Sequence, residues 1–285
     1  MTRLATPTDS TGTHSSTSGA DARSAGAAPT QPGRLVIEDL HKRFGKNTIF
    51  DGFDLAFQLG KITSIFGPNG CGKSTLLNLA AGLIAPDAGT IRFDSGTAGS
   101  TSPVPKTGYV FQNYREALFP WRSAHQNIAY PLKVAGWSRS ACQERIEELV
   151  ELFGIRFDLH RYPYLMSGGQ QQITAVMRSM ATSPDVLFLD EPFSALDYEM
   201  TLSLRDTLQS VQHATGVTMV LVSHDLEEAV YLSDEIVLLT KAPTSLAERL
   251  HFDAPRPRST ETISTSEFVD VKAQALETFR REVRR

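Results

Sequence analysis

Eight consecutive residues, Gly67-Pro68-Asn69-Gly70-Cys71-Gly72-Lys73-Ser74, fit the pattern G-x-x-x-x-G-K-[ST]. Glycines in these places let a backbone curl until successive N–H groups point inward, which suits an anion with several oxygens. The amine of Lys73 has the reach and charge for the β- and γ-phosphates of a nucleoside triphosphate, and the Ser74 hydroxyl suits Mg²⁺. The apolar run 62–66 before the loop reads as a strand, and 74–80, opening with Ser74 and Thr75, reads as a helix. The anion therefore meets a helix N-terminus, where unpaired N–H groups and the macrodipole favour negative charge. A chain of this kind binds a nucleoside triphosphate.

Two further clusters carry chemistry. Val186-Leu187-Phe188-Leu189-Asp190-Glu191 is an apolar strand that ends in adjacent carboxylates. A buried parallel strand delivers its C-terminal residues to the ligand crevice. There Asp190 would hold Mg²⁺, through water or Ser74, and Glu191 would act as general base on the attacking water. The bland alternative is a surface turn after a core strand. Ser167-Gly168-Gly169-Gln170, ahead of a helix-like segment, offers a hydroxyl and glycine amides to phosphate oxygens, or else is a plain helix N-cap. One phosphate cradle suffices for a chain's own nucleotide, so a second makes sense if it serves a neighbouring copy.

These groups need a frame. Strand patterns occur at 34–40 and 50–57, and 85–107 reads as a strand with a loop carrying Gly89, Gly96 and Gly99. The spacing of Ile146, Leu149, Val150, Leu152 and Phe153 predicts a helix over 139–154, and a further helix runs over about 169–181. Beyond it, strands at 186–189, 217–222 and 235–239 alternate with helices at 199–214 and 225–232. Such alternation implies an α/β fold, a parallel sheet with helices on its faces. Residues 1–33, rich in small and polar types without apolar periodicity, read as a disordered leader. The net charge of −4 gives no support to nucleic-acid binding, and no apolar run is long enough to span a membrane. With only Cys71 and Cys142 and no apolar signal at the start, the chain reads as intracellular, docked at any membrane by partners.

The order of Gly67–Thr75 (67–75), Gln112, Met166-Ser167-Gly168-Gly169-Gln170, Asp190-Glu191, Ser194-Ala195-Leu196-Asp197 and His224 resembles the ATP-binding subunit of an ABC transporter. The match covers about 34–258. By resemblance the fold has a RecA-like P-loop NTPase core, an N-terminal antiparallel β subdomain and an inserted helical subdomain at about 113–182, with 259–285 as a C-terminal helical tail. The resemblance implies ATP and Mg²⁺ as ligands, and two subunits, alike or different, paired head to tail. Each ATP then lies between one subunit's phosphate loop and the other's Ser167-Gly168-Gly169-Gln170. Gln112 is implied to touch Mg²⁺ and the attacking water, His224 to sense the γ-phosphate, and Asp197 to reach across the interface. Phe44 stands where the family stacks an aromatic on adenine; a core phenylalanine is the alternative. Two departures stand out: Met166 replaces the usual leucine, and Ile173 stands where many relatives carry arginine.

About 54 residues separate Gln112 from Ser167, too few for long coiled-coil arms. Leu118-Phe119-Pro120-Trp121-Arg122 and Asp253-Ala254-Pro255-Arg256-Pro257-Arg258 are similar to segments of importers for nitrate, sulfonates and taurine. This implies an integral-membrane permease as partner, a solute-binding protein acting indirectly, and a peripheral place on the cytoplasmic face of the inner membrane. A soluble ABC-type ATPase in assembly or repair, with no permease, is the rival; Trp121 would then only pack the helical subdomain. Residues 266–285 read as a helix with Phe268, Val271, Ala275, Leu276 and Phe279 on one side and Arg280, Arg281, Arg284 and Arg285 at its end, a regulatory or lipid surface or a solvated helix end. Cys71, at a helix entrance, is expected to have a lowered thiol pKa, to block ATP binding when alkylated and to be protected by MgATP.

Overall fold

A computed structural model of the chain describes residues 33–94, 105–194 and 196–284. The leader (save Gly33), Gly96, Gly99, Ala195 and Arg285 lie outside the described residues. Alternating apolar residues in β1 (Arg34–Phe44) bury Leu35, Ile37 and Leu40, and β1 pairs antiparallel with β2 (Asn47–Gln58) and β4 (Ala88–Asp94). The three-stranded sheet has the order β2-β1-β4. Its irregular point is Asp39, which adopts φ 50 where the register slips. Gly89 faces that bulge, and a Cβ there would lie 2.2 Å from the Asp39 carbonyl oxygen, so only glycine permits the approach.

The larger sheet has the order β5-β6-β7-β3-β8-β9, built from β3 (Ile62–Phe66), β5 (Thr107–Val110), β6 (Val186–Asp190), β7 (Thr218–Val222), β8 (Glu235–Leu239) and β9 (Leu246–His251). All pairs are parallel except β8 with β9. Every residue of β3, β6, β7 and β8 is buried, as a sheet covered on both faces requires. The period of two splits their side chains between two cores. Leu187, Leu189, Met219, Leu221, Ile236 and Leu238 join one cluster; Val186, Phe188, Val220, Val222, Val237 and Leu239 join the other. The second cluster also takes β1, β2 and α1 (Lys73–Ala80).

The first cluster takes the helices on the opposite face: α3 (Ala124–Val134), α4 (Arg139–Leu152), α5 (Gly168–Met180), α6 (Tyr198–Thr215), α7 (Leu226–Leu232) and α8 (Ser266–Arg284). A short α2 (Tyr114–Ala117) precedes α3. The C-terminal helix is welded to the body: Phe268 and Ala275 are buried, and Phe279 meets Phe66 edge-on at 5.1 Å. Leu276, expected beside them, is on the outward side, because one step past Ala275 rotates a side chain off the buried stripe. Arg258 anchors the segment ahead of α8. Fully buried, it donates to the carbonyls of Ala254, Val230, Tyr231, Ser233 and Phe252. Burial and the charge of Arg256 lower its pKa to about 10.

Candidate functional site

Parallel strands end at one edge, so the order β5-β6-β7-β3 sets four C-terminal turns side by side. Strand β5 delivers Gln112, β6 delivers Asp190 and Glu191, β7 delivers Ser223 and His224, and β3 feeds the loop at Gly67. The loop turns into α1 at Gly72, whose φ of 96 and lack of room for a Cβ (2.4 Å from Ile49 Cγ2) demand glycine. No side chain caps α1. Its first amides are the orphan donors of any helix start, and an anion is their natural partner. Lys73, buried, folds back so that Nζ donates to the carbonyls of Gly67 (2.9 Å) and Pro68 (3.1 Å). The amine has carbonyl partners and no carboxylate among the described residues, as suits a group kept for phosphate oxygens.

Beside the loop, Ser74 Oγ donates to Asp190 Oδ1 at 2.9 Å and the Tyr109 hydroxyl donates to Asp190 Oδ2 at 3.4 Å. Burial raises the Asp190 pKa, and neighbouring Glu191 raises it further, against the two hydrogen bonds and Lys73. Burial and the Asp190 charge likewise push the Tyr109 phenol up. A hydroxyl and a buried carboxylate beside a second carboxylate form a hard oxygen donor set that fits a divalent cation such as Mg²⁺. Glu191 sits at φ 48, a costly conformation for a residue with a Cβ. It aims its carboxylate so that Oε2 accepts from Gln112 Nε2 at 2.7 Å and lies 3.6 Å from His224 Nδ1.

The structure thus brings Lys73, Ser74, Gln112, Asp190, Glu191 and His224 to one place. Ser167, Gly168, Gly169 and Gln170 are elsewhere. Ser167 Oγ accepts from Gln170 N and Gln170 Oε1 accepts from Ser167 N, a capping box that opens α5. Gly169 lies under Met200, leaving no room for a side chain unless Met200 moves. No hydrogen bond among the described residues ties this segment to the Glu191 cluster. Asp197 caps α6, its Oδ1 accepting from Met200 N. Phe44 is half exposed, which removes the core alternative; Lys42 Nζ lies 5.4 Å from its ring centre. Met166 and Ile173 are buried as ordinary apolar residues.

One expectation fails. Cys71 is buried, and burial pushes its thiol up rather than down. Cys71 belongs to the buried apolar cluster that includes Phe50, Leu76 and Leu239, and removal from water outweighs the nearby Lys73 charge and the backbone hydrogen bonds. Tyr109 was missed by sequence reasoning. Its one signal was the spacing of two from Phe111, just past the end of β5; the two rings are tilted against each other with centres 4.5 Å apart.

Residues 50–194 match the family model described as ABC transporter. The chain belongs to the ABC transporter family. It is 38% identical to the nitrate import ATP-binding protein NrtC of Synechococcus elongatus, over 85% of this chain but only 38% of that longer protein. It is 36% identical to the taurine import ATP-binding protein TauB of Escherichia coli O6:K15:H31, over 78% of this chain and 86% of that one. Among solved structures, a dimeric bacterial ABC transporter cassette superposes with TM-score 0.66 at 25% identity, covering 78% of this chain and all of that one. The fold is that of a P-loop NTPase with an antiparallel β subdomain.

Proposed function

We propose that the chain is the ATP-binding and ATP-hydrolysing subunit of an ABC importer, coupling hydrolysis to uptake of a small anionic solute of the sulfonate, nitrate or taurine type through a separate permease. The observation that carries it is Glu191: one carboxylate oxygen receives Gln112 and faces His224, beside the Ser74–Asp190 pair and an uncapped helix. The loop 67–75 and Lys73 seat the triphosphate, and Phe44 stacks on the base. Mg²⁺, held by Ser74, Asp190 and Gln112, would neutralise charge on the phosphates. Glu191 takes a proton from water, whose oxygen bonds to the γ-phosphorus as the bond to the ADP oxygen breaks. His224 and Gln112 orient that water and the γ-phosphate.

The site borrows its other wall from a twin subunit. Its Ser167, Gly168, Gly169 and Gln170 would cover the γ-phosphate, and its Asp197 would cross the interface. That this segment makes no bond to the cluster in its own chain supports the reading, as does the dimeric state of the similar cassette. The nucleotide domain is taken as 34–258, its helical subdomain as 113–182. Trp121, 69% exposed and tilted against Phe119 with ring centres 5.6 Å apart, presents aromatic surface there for a permease. No described helix is long and apolar enough to cross a membrane, which fits peripheral docking on the cytoplasmic face beside the permease, with a solute-binding protein acting through it. Nitrate and taurine relatives support the solute class.

Affinity capture of the full chain from solubilised membranes tests the importer: a multi-spanning partner is expected, and recovery without one refutes it. Sedimentation of Glu191→Gln with saturating MgATP tests the twin site: a dimer is expected, and a monomer at high concentration refutes it.

A further inference from the structure

The turn that carries His224 is gripped from behind by side chains to which the proposed chemistry gives no task. Ser223, fully buried just past the end of β7, accepts from Asp225 N at 3.0 Å, and its one proton goes to Glu228 Oε2 at 2.8 Å, a charged acceptor closer than the alternative, the Asp225 carbonyl at 3.0 Å. His224 is the exposed residue between those two anchor points. Glu228 is not needed to cap α7, because Asp225 Oδ1 already accepts from the amides of Glu227 (2.7 Å) and Glu228 (3.2 Å). Nor does it join the surface ion pairs, for Glu227 beside it takes Lys272 at 2.6 Å. Its carboxylate instead faces a cavity of about 330 Å³ bounded by Ser194, Thr201, Arg205 and His224.

We propose that Glu228 is a positioning residue for His224: by holding the Ser223 hydroxyl it fixes the turn that aims the imidazole at Glu191 and the γ-phosphate. Resting on the ATPase reading above, this deepens it. The charged groups facing Glu228 are Asp225 and His224 on its own turn and Arg205 from α6. Arg205 is buried, stacks on the Tyr231 ring at 3.6 Å and leaves its Nε without a partner, so it supplies positive charge to the cavity without pinning Glu228. Burial raises the Glu228 pKa, with Asp225 adding to it and Ser223, His224 and Arg205 opposing. A hydrogen bond to a partly buried carboxylate is charge-assisted, and it restrains the hydroxyl that makes it.

Steady-state ATP hydrolysis by the full-length chain, with substrate titrations, tests this. Glu228→Ala is expected to lower kcat about tenfold or more with KM changed less than about twofold, since the phosphate seat is untouched. Glu228→Gln, which keeps an acceptor for Ser223, should remain within about threefold of the parent. The deciding arm is the double variant: in a His224→Ala background, Glu228→Ala should change kcat by less than about twofold, because it acts through that imidazole. Full activity of Glu228→Ala, or a loss that multiplies with His224→Ala, overturns the inference alone. Should Glu228→Ala fail to fold, Ser223→Ala breaks the same link, and its full activity, or a multiplying loss, is equally fatal. A parent chain that turns over no ATP overturns the functional reading and this inference with it.

Discussion

Replacing Glu191 by Gln isolates the proton acceptor from everything else the residue does. The side chains are nearly isosteric, the backbone at φ 48 keeps the strain it already has, and the carboxylate is 21% exposed rather than sealed in the core. Gln can still accept from Gln112 Nε2, now 2.7 Å from Glu191 Oε2. Fold stability should therefore move by no more than about 0.5 kcal/mol. The amide cannot take a proton from water. A positioned general base contributes about 10²–10⁴ in rate, or roughly 3–5.5 kcal/mol of barrier at about 1.4 kcal/mol per decade. ATP affinity should hold or tighten, because in the proposed site the phosphate contacts would come from the loop and Lys73 while one neighbouring negative charge disappears. Phosphate-release kinetics and equilibrium binding of a fluorescent ATP analogue measure the two separately. Turnover within about threefold of the parent, or binding weakened tenfold with the fold intact, would refute the assignment of Glu191 as base.

Gly72→Ala must place a Cβ 2.4 Å from Ile49 Cγ2 at φ 96, adding about 1–2 kcal/mol of backbone strain to the clash; nucleotide affinity should fall at least about tenfold in a binding titration. Arg258→Lys should lower the thermal midpoint by about 6–12 °C, since one amine cannot serve five carbonyls and roughly 3 kcal/mol is lost at about 2–4 °C each; calorimetry reads this out. Iodoacetamide at neutral pH should spare Cys71 in the folded chain and label it after denaturation, as followed by peptide mass; native labelling at the rate of a free thiol would contradict its burial.

Elements whose residues answer to their own neighbours in sequence were legible. Strands β3, β6, β7 and β8 are short, mostly apolar runs, and the helices expected at 139–154 and 199–214 match α4 and α6 to within two residues at either end. Helix α3 escaped because Pro131 interrupts it, although Ser123 and Gln126 form the capping box that marks its start. Strand β9 escaped too: its pattern is half exposed, and its place comes from antiparallel pairing with β8, a long-range fact. The same limit covers the site. Lys73, Ser74 and Glu191 were legible from local motif and strand end, whereas the Cys71 thiol and the Ser223–Glu228 grip depend on what folds over them.

Electrostatics of the pocket argue for a cation and a polyanion arriving as one unit. Asp190 and Glu191 are adjacent carboxylates, and burial together with mutual repulsion already raises the Asp190 pKa. Lys73 does not relieve them by pairing; its amine is occupied with the Gly67 and Pro68 carbonyls on the loop side. Positive ground, the uncapped start of α1 and Lys73, therefore lies beside negative ground without cancelling it. A bare triphosphate would gain the first and be repelled by the second, and a bare dication would meet the reverse. On the proposed reading, a metal–nucleotide complex would satisfy both halves, its metal held by Ser74 and Asp190 and its phosphates by the loop. Under the proposed function, this charge placement would favour the metal–nucleotide complex over either ion alone before the proposed twin subunit contributes any residue.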